Sequence, residues 1–305
     1  MDPFLEHRKA QEKRHQVATA GVLDPMNSLI TVELNITELC NRTCVFCPRV
    51  DPKVYPNRNL SMKLDMAEKV ARDLVRIDYK GRISFSGFGE PFLHKGFVDF
   101  VRIFRGHLPQ NTIETNTNGD FLKPETVRRF FEAGLTYLYI NLYDGPEQRE
   151  PFHQLMAKAG VDESRYRLRD HWVGATEDFG LNLNNRSGMV SLEDSTSPQK
   201  LQGHPCYYPF YKMLIDWDGQ VLFCSNDWGR KIVVGDVRNH SVKDIWLSEE
   251  MRKIRKRLIF GDRSVSPCDT CNVKGTLHGK SSVDLLARHY QFLDVVPLCK
   301  GDSRG

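Results

Sequence analysis

The apolar positions of this chain alternate between two periods. Residues Leu29 to Ile36 (LITVELNI) alternate apolar and polar from Ile30 onward and are rich in branched side chains, which predicts a strand. Asp65 to Tyr79 instead places Met66, Val70, Leu74 and Ile77 at helical spacing. The pair then repeats. Strands are predicted at Arg82–Ser86, Thr112–Asn116, Thr136–Tyr143 and near Arg167–Trp172. Helices are predicted at Lys95–Leu108, with Phe97, Phe100, Val101 and Phe104 on one face, at Lys123–Ala133, and from Pro146 to Lys158. Pro124 suits a helix start, where its missing N–H costs little. Strands separated by helices of roughly 10 to 15 residues make parallel βαβ units. Five or six such units predict an α/β fold, an open or partial barrel.

The pattern breaks at Leu183 to Gln202, where Asn-Asn-Arg-Ser-Gly and a Ser/Thr/Asp/Pro-rich run read as a linker. A smaller α+β unit follows. Lys212–Trp217 and Gln220–Cys224 flank Asp218-Gly219, a strong hairpin signal. Ser241 with Asp244 three residues on reads as a helix start, and a helical pattern resumes at Met251–Leu258. The expected domains are an arm at 1–28, charged and either helical or loose, a barrel at 29–195, the smaller domain at 196–280 and a tail at 281–305. The segment Lys243–Leu258 is strongly basic and is expected to present a solvated face.

Composition excludes little. The chain has 305 residues, 40% apolar and 27% charged, ordinary for a globular protein with a sizeable core. A net charge of +4 does not point to nucleic acid, although it leaves it possible. No run approaches the roughly 18 apolar residues of a membrane span. The N-terminus is charged from its second residue, so no export signal and no membrane attachment are expected. A cytoplasmic setting follows, in which the eight cysteines are reduced and suited to metal.

Those cysteines form groups. Cys40, Cys44 and Cys47 make C-x3-C-x2-C directly after the first predicted strand. Three thiolates in eight residues can hold three corners of a cubane iron–sulfur cluster and leave the fourth iron open. Zinc fits less well, because no histidine is adjacent to finish a tetrahedron. Cys206, Cys224, Cys268 and Cys271 are a second set. Four thiolates complete either a cubane or a zinc site, and spacing alone does not separate the two. Cys299 is left over.

The triplet, placed at a strand end, resembles the radical S-adenosylmethionine (SAM) superfamily. Further residues carry the likeness. Phe46 sits where that family keeps an aromatic residue beside the adenine. Ser86-Gly87-Phe88-Gly89-Glu90-Pro91 looks like its glycine–glutamate segment, where backbone and carboxylate receive the methionine amino group. Thr115-Asn116-Thr117-Asn118-Gly119 matches a TNG loop. The resemblance implies a partial (β/α)6 barrel over about residues 29–195, with the site at the carboxyl ends of the strands. It implies a [4Fe–4S] cluster on Cys40, Cys44 and Cys47 that binds SAM. Gly87, Gly89, Glu90, Asn116, Asn118, Asn141 and Arg186 are then candidate SAM contacts, the last two for ribose or carboxylate. Beside such a barrel, the second cysteine set resembles SPASM and twitch extensions, which implies one auxiliary [4Fe–4S] cluster.

The implied chemistry is reductive cleavage of SAM and removal of hydrogen from an unactivated carbon of a small molecule. A sugar, an aminoglycoside or a modified nucleotide would suit, and the outcome would be epimerisation, isomerisation or dehydrogenation. His94 and Cys299 are the candidate catalytic residues, Cys299 as a hydrogen donor. Glu114, Tyr143, Arg169, Asp170 and His171 are further substrate-facing candidates. The implied electron donor is a flavodoxin or ferredoxin. The competing readings are a peptide-modifying maturase, a non-enzymatic redox carrier or sensor, and a zinc-ribbon module on an inactive barrel.

Overall fold

Each predicted strand–helix pair forms, within a few residues of its expected bounds. A computed structural model describes residues 3–172, 184–191 and 201–292. In chain order it has α1 (Pro3–Ala18), β1 (Thr31–Leu34), α2 (Leu64–Arg76), β2 (Arg82–Phe85), α3 (Phe97–His107), β3 (Ile113–Thr117), α4 (Pro124–Glu132), β4 (Tyr137–Leu142), α5 (Arg149–Lys158) and β5 (Tyr166–Asp170). The second unit supplies α6 (Tyr208–Tyr211), β6 (Lys212–Ile215), β7 (Gln220–Leu222), β8 (Val233–Asp236), α7 (Val242–Trp246), α8 (Glu249–Ile259) and α9 (Lys280–His289). The hairpin and the Ser241–Asp244 capping box are both present.

The two units share one sheet of eight strands, in the order β5-β4-β3-β2-β1-β6-β7-β8. β1 to β5 are parallel neighbours, and β6 adds parallel to β1 on the other side. The sixth parallel strand therefore comes from the C-terminal unit.

Strand register divides the sheet into two unlike faces. Val32, Leu34, Ile83, Phe85, Ile113 and Leu138 share one face and are fully buried under the helices. The opposite face carries Glu33, Ser84, Glu114, Asn116, Tyr139, Asn141 and Arg169. Parallel strands covered on both sides are usually apolar on both. A polar inner face therefore marks an interior shaped for a ligand.

Helix α1 closes the amino-terminal end of that interior and is not a loose arm. Arg8 donates to Glu114 Oε1 at 2.6 Å, Gln11 donates to Oε2 at 3.1 Å, and His7 stacks on Tyr137 at 4.2 Å. The expected tail likewise contains an ordered helix: Ser282 of α9 donates to the Ser28 carbonyl at 2.8 Å. Arg255, expected on a solvated face, is instead fully buried under Trp246 and donates to the Pro209 carbonyl at 2.9 Å and to the Tyr290 hydroxyl. Among the described residues no helix is long and apolar enough to cross a membrane.

Candidate active site

The loop after β1 carries the cysteine triplet, and charged side chains fix it from three sides. Asn57 accepts from the Cys40 amide at 3.0 Å and donates to the Cys40 carbonyl at 2.9 Å. Arg49, 3% exposed, donates to the carbonyls of Phe88 and Glu38 and so ties this loop to the loop after β2. Arg42 is forked between Asp120 at 2.6 Å and Asp144 at 2.8 Å, in the loops after β3 and β4. Neither Arg49 nor Asn57 carries a sequence signal, because their partners are distant backbone groups and loops.

Cys40, Cys44 and Cys47 are free thiols lining a cavity of about 290 Å³ at the carboxyl ends of the strands. Burial, then the neighbouring Cys47 and Cys40, pushes the Cys44 thiol up to about 12. Bare, these thiols are therefore protonated, and a bound metal is what would ionise them. Half-buried, unpaired sulfurs that raise one another's pKa fit an iron–sulfur cluster. Among the described residues no three His, Cys, Asp or Glu side chains are arranged to hold a single metal ion.

The residues expected to meet SAM converge on the same cavity. Gly87, Gly89, Glu90, Phe46, Asn116, Asn118, Asn141 and Arg186 all line it. Gly87 has φ +143, and a Cβ there would sit 2.7 Å from Asn35. A Cβ on Gly89 would lie 2.1 Å from the Thr37 carbonyl. Both glycines thus let the loop after β2 lie flat on the triplet loop. Asn35, missed in the sequence, joins them by accepting from the Phe88 amide at 2.9 Å and donating to Asp216 at 2.7 Å.

Glu90 accepts from Thr117 Oγ1 at 2.8 Å and from the amides of Asn118 at 2.9 Å and Phe92 at 3.2 Å. Burial still lifts its pKa to about 7. One lone pair remains open on Oε2, so a cationic amine can be received there. Asn141 donates to the Thr117 carbonyl at 3.3 Å, and its buried Oδ1 has no hydrogen-bond partner among the described residues. Asn118 is occupied on both sides, donating to Asn41 at 2.8 Å and accepting from the Asp120 amide at 3.0 Å. Phe46 stacks on Tyr143 at 5.7 Å and meets the His171 ring edge-on at 4.8 Å, so an aromatic wall stands beside the triplet. The amide-rich cradle, the aromatic wall and the open acceptors suit an amino acid joined to a nucleoside.

Three predicted residues fall elsewhere. His94 does not line the cavity. Its Nε2 pairs with the Met62 carbonyl at 3.0 Å, and its Nδ1 accepts from the Gly96 amide at 3.0 Å. Both ring nitrogens are spent on tying the start of α3 to the segment that leads into α2, so His94 is structural. Glu114 sits at the opposite end of the strands, neutralised by Arg8 and by Arg82 at 3.3 Å. Asp170 is committed to Arg149. Tyr143, Arg169 and His171 do line the cavity. Cys299 lies outside the described residues.

The second cysteine set is drawn together behind the cavity. Cys206, Cys268 and Cys271 each act electrostatically on Cys224, and burial, opposed mainly by Arg263, pushes Cys206 up to about 11. Arg263, 2% exposed, clamps the carbonyls of His204, Pro205, Val273 and Lys274 at 2.6–3.0 Å. Asn185 and Asn272 exchange amide bonds at 2.9 and 3.3 Å, which docks the 184–191 segment on the C-x2-C loop and turns Arg186 towards Phe46. Asn185 is therefore a staple between the two segments. The Asn226 amide donates to Cys224 Sγ at 3.4 Å while Asn226 itself lines the cavity. The triplet thus lines the cavity, and the second set lies behind the part of its wall that Tyr208 and Asn226 form.

Comparison with known proteins agrees with this geometry. The family model of the radical SAM superfamily matches residues 34–169, and that of the SPASM iron–sulfur cluster-binding domain matches 206–272. An S-adenosyl-L-methionine-dependent 2-deoxy-scyllo-inosamine dehydrogenase of Niallia circulans is 30% identical over 255 residues, 82% of this chain and 94% of that protein. The crystal structure of BtrN in complex with AdoMet and 2-DOIA is 27% identical, with a TM-score of 0.67 over 80% of this chain and 93% of that one. Native anSMEcpe with bound AdoMet shares the fold at a TM-score of 0.54 and 12% identity, over 87% of this chain and all of its own. The chain belongs to the radical SAM superfamily: it is an enzyme whose cofactors are SAM and [4Fe–4S] clusters.

Proposed function

We propose that this enzyme dehydrogenates a secondary alcohol carbon of a small polyhydroxylated molecule, an aminocyclitol or a sugar, to a ketone. The observation that carries this reading is the auxiliary thiol set behind the cavity wall, with Cys224 two residues from the wall residue Asn226 and accepting from its amide. Epimerisation returns a hydrogen atom and needs no electron acceptor, whereas ketone formation must dispose of an electron. The inosamine dehydrogenase relative, alike over nearly its whole length, supports the same outcome. So does the polar inner face, since a polyol needs hydroxyl partners rather than an apolar pocket.

Cys40, Cys44 and Cys47 hold the SAM-binding cluster, and Cys206, Cys224, Cys268 and Cys271 hold one auxiliary cluster. When bound, the first cluster and SAM supply a carbon radical able to take hydrogen from an unactivated C–H. Glu90 receives the amino group of SAM at its open lone pair. Arg186 and the open oxygen of Asn141 hold the carboxylate and ribose, and Phe46 covers the adenine. Tyr143 and His171 back Phe46 and exclude water. Tyr208 lines the cavity and faces Cys224, Cys206 and Cys271, so it separates substrate from the auxiliary cluster by one ring. The electron donor is a flavodoxin- or ferredoxin-like protein, and the substrate a small molecule.

The test uses anaerobically reconstituted enzyme with dithionite, SAM and 2-deoxy-scyllo-inosamine as the probe. Wild type forms ketone. Cys268→Ala/Cys271→Ala, with its SAM-binding cluster intact by iron content, still makes 5′-deoxyadenosine but loses ketone by about 100-fold or more. Unchanged ketone yield in that variant contradicts the electron-acceptor role.

A further inference from the structure

Resting on the dehydrogenase reading, we propose that His278 is the base that takes the proton of the substrate hydroxyl, with Glu12 as its positioning residue. Nothing in the SAM-binding motifs includes either residue. Both line the deep end of the cavity, the end closed by α1. Strand register fixes that level, since Thr31 pairs with Arg82 and Lys212 there and all three line the cavity. The strand ends that carry the cofactor loops lie about 10 Å higher, three residues along a strand. That depth takes a six-membered ring between SAM and the floor.

The His278 ring faces Glu12 through Nδ1, which is 3.6 Å from Oε2. The other Glu12 oxygen accepts from the Gly279 amide and the Ser281 hydroxyl, both at 3.3 Å. The carboxylate is thereby anchored to the start of α9 and holds its charge; the His278 contact leads the effects that lower its pKa. A carboxylate facing Nδ1 favours the tautomer with the ring proton on that nitrogen and a lone pair on Nε2. Nε2 is buried and has no hydrogen-bond partner among the described residues. An acceptor nitrogen on a cavity-lining ring, oriented from behind and left without a partner, is the arrangement of a general base.

The reaction needs one. Removing a hydrogen atom from the carbon of a secondary alcohol leaves a carbon radical that still bears O–H. The ketone forms when the O–H proton goes to a base and one electron leaves. The books close as CH–OH giving C=O, one hydrogen atom to the SAM-derived radical, one proton to His278 Nε2 and one electron to the auxiliary cluster. The alternatives in the cavity are worse bases. His171 has an unpartnered Nδ1, but burial, Arg169 and Arg186 hold its proton affinity well below the ordinary histidine range. Glu33 is taken by Lys212 at 2.9 Å and Ser86 at 2.5 Å. The other charged or titratable groups at the deep end are Arg8 on α1, Arg82 on β2, Tyr211 on α6 and Lys212 on β6. Glu114 holds both arginines and Glu33 the lysine, while the Tyr211 ring lies 6.4 Å from that of His278.

The test compares wild type, His278→Gln and Glu12→Gln in reconstituted enzyme, with 2-deoxy-scyllo-inosamine deuterated at the reacting carbon. Probe affinity is read by calorimetry, deuterium in 5′-deoxyadenosine by mass spectrometry, and ketone formation as a function of pH. His278→Gln is expected to bind the probe within about threefold of wild type and still transfer deuterium, while ketone formation falls about 100-fold. The pH profile of ketone formation is expected to differ between the variant and wild type. Glu12→Gln falls between the two and serves if His278→Gln fails to fold. An unchanged rate and pH profile in both variants overturns this proposal alone. So does a loss of rate matched by an equal loss of affinity. A wild type that neither binds nor oxidises the probe overturns the dehydrogenase reading and the base assignment with it.

Discussion

Glu90 is 3% exposed and has three donors, yet its pKa still sits near 7 because burial outweighs them. Its sign matters for stability. A carboxyl whose folded pKa lies above its ordinary value of 4.5 favours the fold fully below that value. The contribution is lost as pH rises through about 7. In cluster-free protein, the thermal midpoint of wild type should therefore fall more steeply between mildly acidic and mildly basic pH than that of Glu90→Gln. Glu90→Gln should equal or exceed wild type in stability above neutrality while losing SAM affinity by about tenfold or more, the scale of a hydrogen bond to a charged group. Equal slopes in the two proteins would contradict the burial argument. Equal SAM affinity would remove Glu90 from the binding site. The sequence showed this glutamate because it stands at a fixed place after a strand. Its neighbours Asn35 and Arg49 stayed hidden, since an asparagine or arginine that bonds to remote backbone has no spacing to betray it.

At the scale of elements, α1 carries the largest departure from the sequence reading. Its residues are charged all round, without an apolar stripe, so periodicity does not distinguish a docked helix from a loose one. Docking depends instead on Glu114, buried and acidic in the middle of a strand, which needs cations to survive there. Burial alone would raise its pKa, but Arg8 and Arg82 outweigh it and hold it at about 2. That contribution is present above the ordinary 4.5 and is lost as pH falls through about 2. Arg8→Ala leaves Arg82 as the remaining cation beside Glu114 and should cost up to about 4 kcal/mol in urea unfolding. Glu114→Gln in the Arg8→Ala background should restore part of that loss, because the uncompensated charge is gone. Additive losses would show that the two do not act through one another. The βα units were legible because their apolar residues lie at clean helical or strand spacing. The same clarity misled at Arg255, where a basic run hides one arginine turned inwards.

At the scale of the molecule, the two cysteine sets could be read from the sequence, but the placing of the second behind the wall of the cavity that the first lines could not. That arrangement follows from β6 pairing with β1, which carries the C-terminal unit across to the open side of the barrel. The interior then has three working sides: the SAM loops above, the wall of Tyr208 and Asn226 with the auxiliary thiols behind it, and the α1–His278 floor below. A hydrogen atom, an electron and a proton each have a separate exit, which is what alcohol dehydrogenation by a radical requires. The most direct measurement is the isotopic balance of one turnover with 2-deoxy-scyllo-inosamine deuterated at the reacting carbon. The account predicts ketone and 5′-deoxyadenosine in equal amounts, with the deuterium in 5′-deoxyadenosine, and neither product from Cys40→Ala/Cys44→Ala/Cys47→Ala. Recovery of the probe as an epimer carrying solvent hydrogen, or ketone formed without labelled 5′-deoxyadenosine, would contradict it.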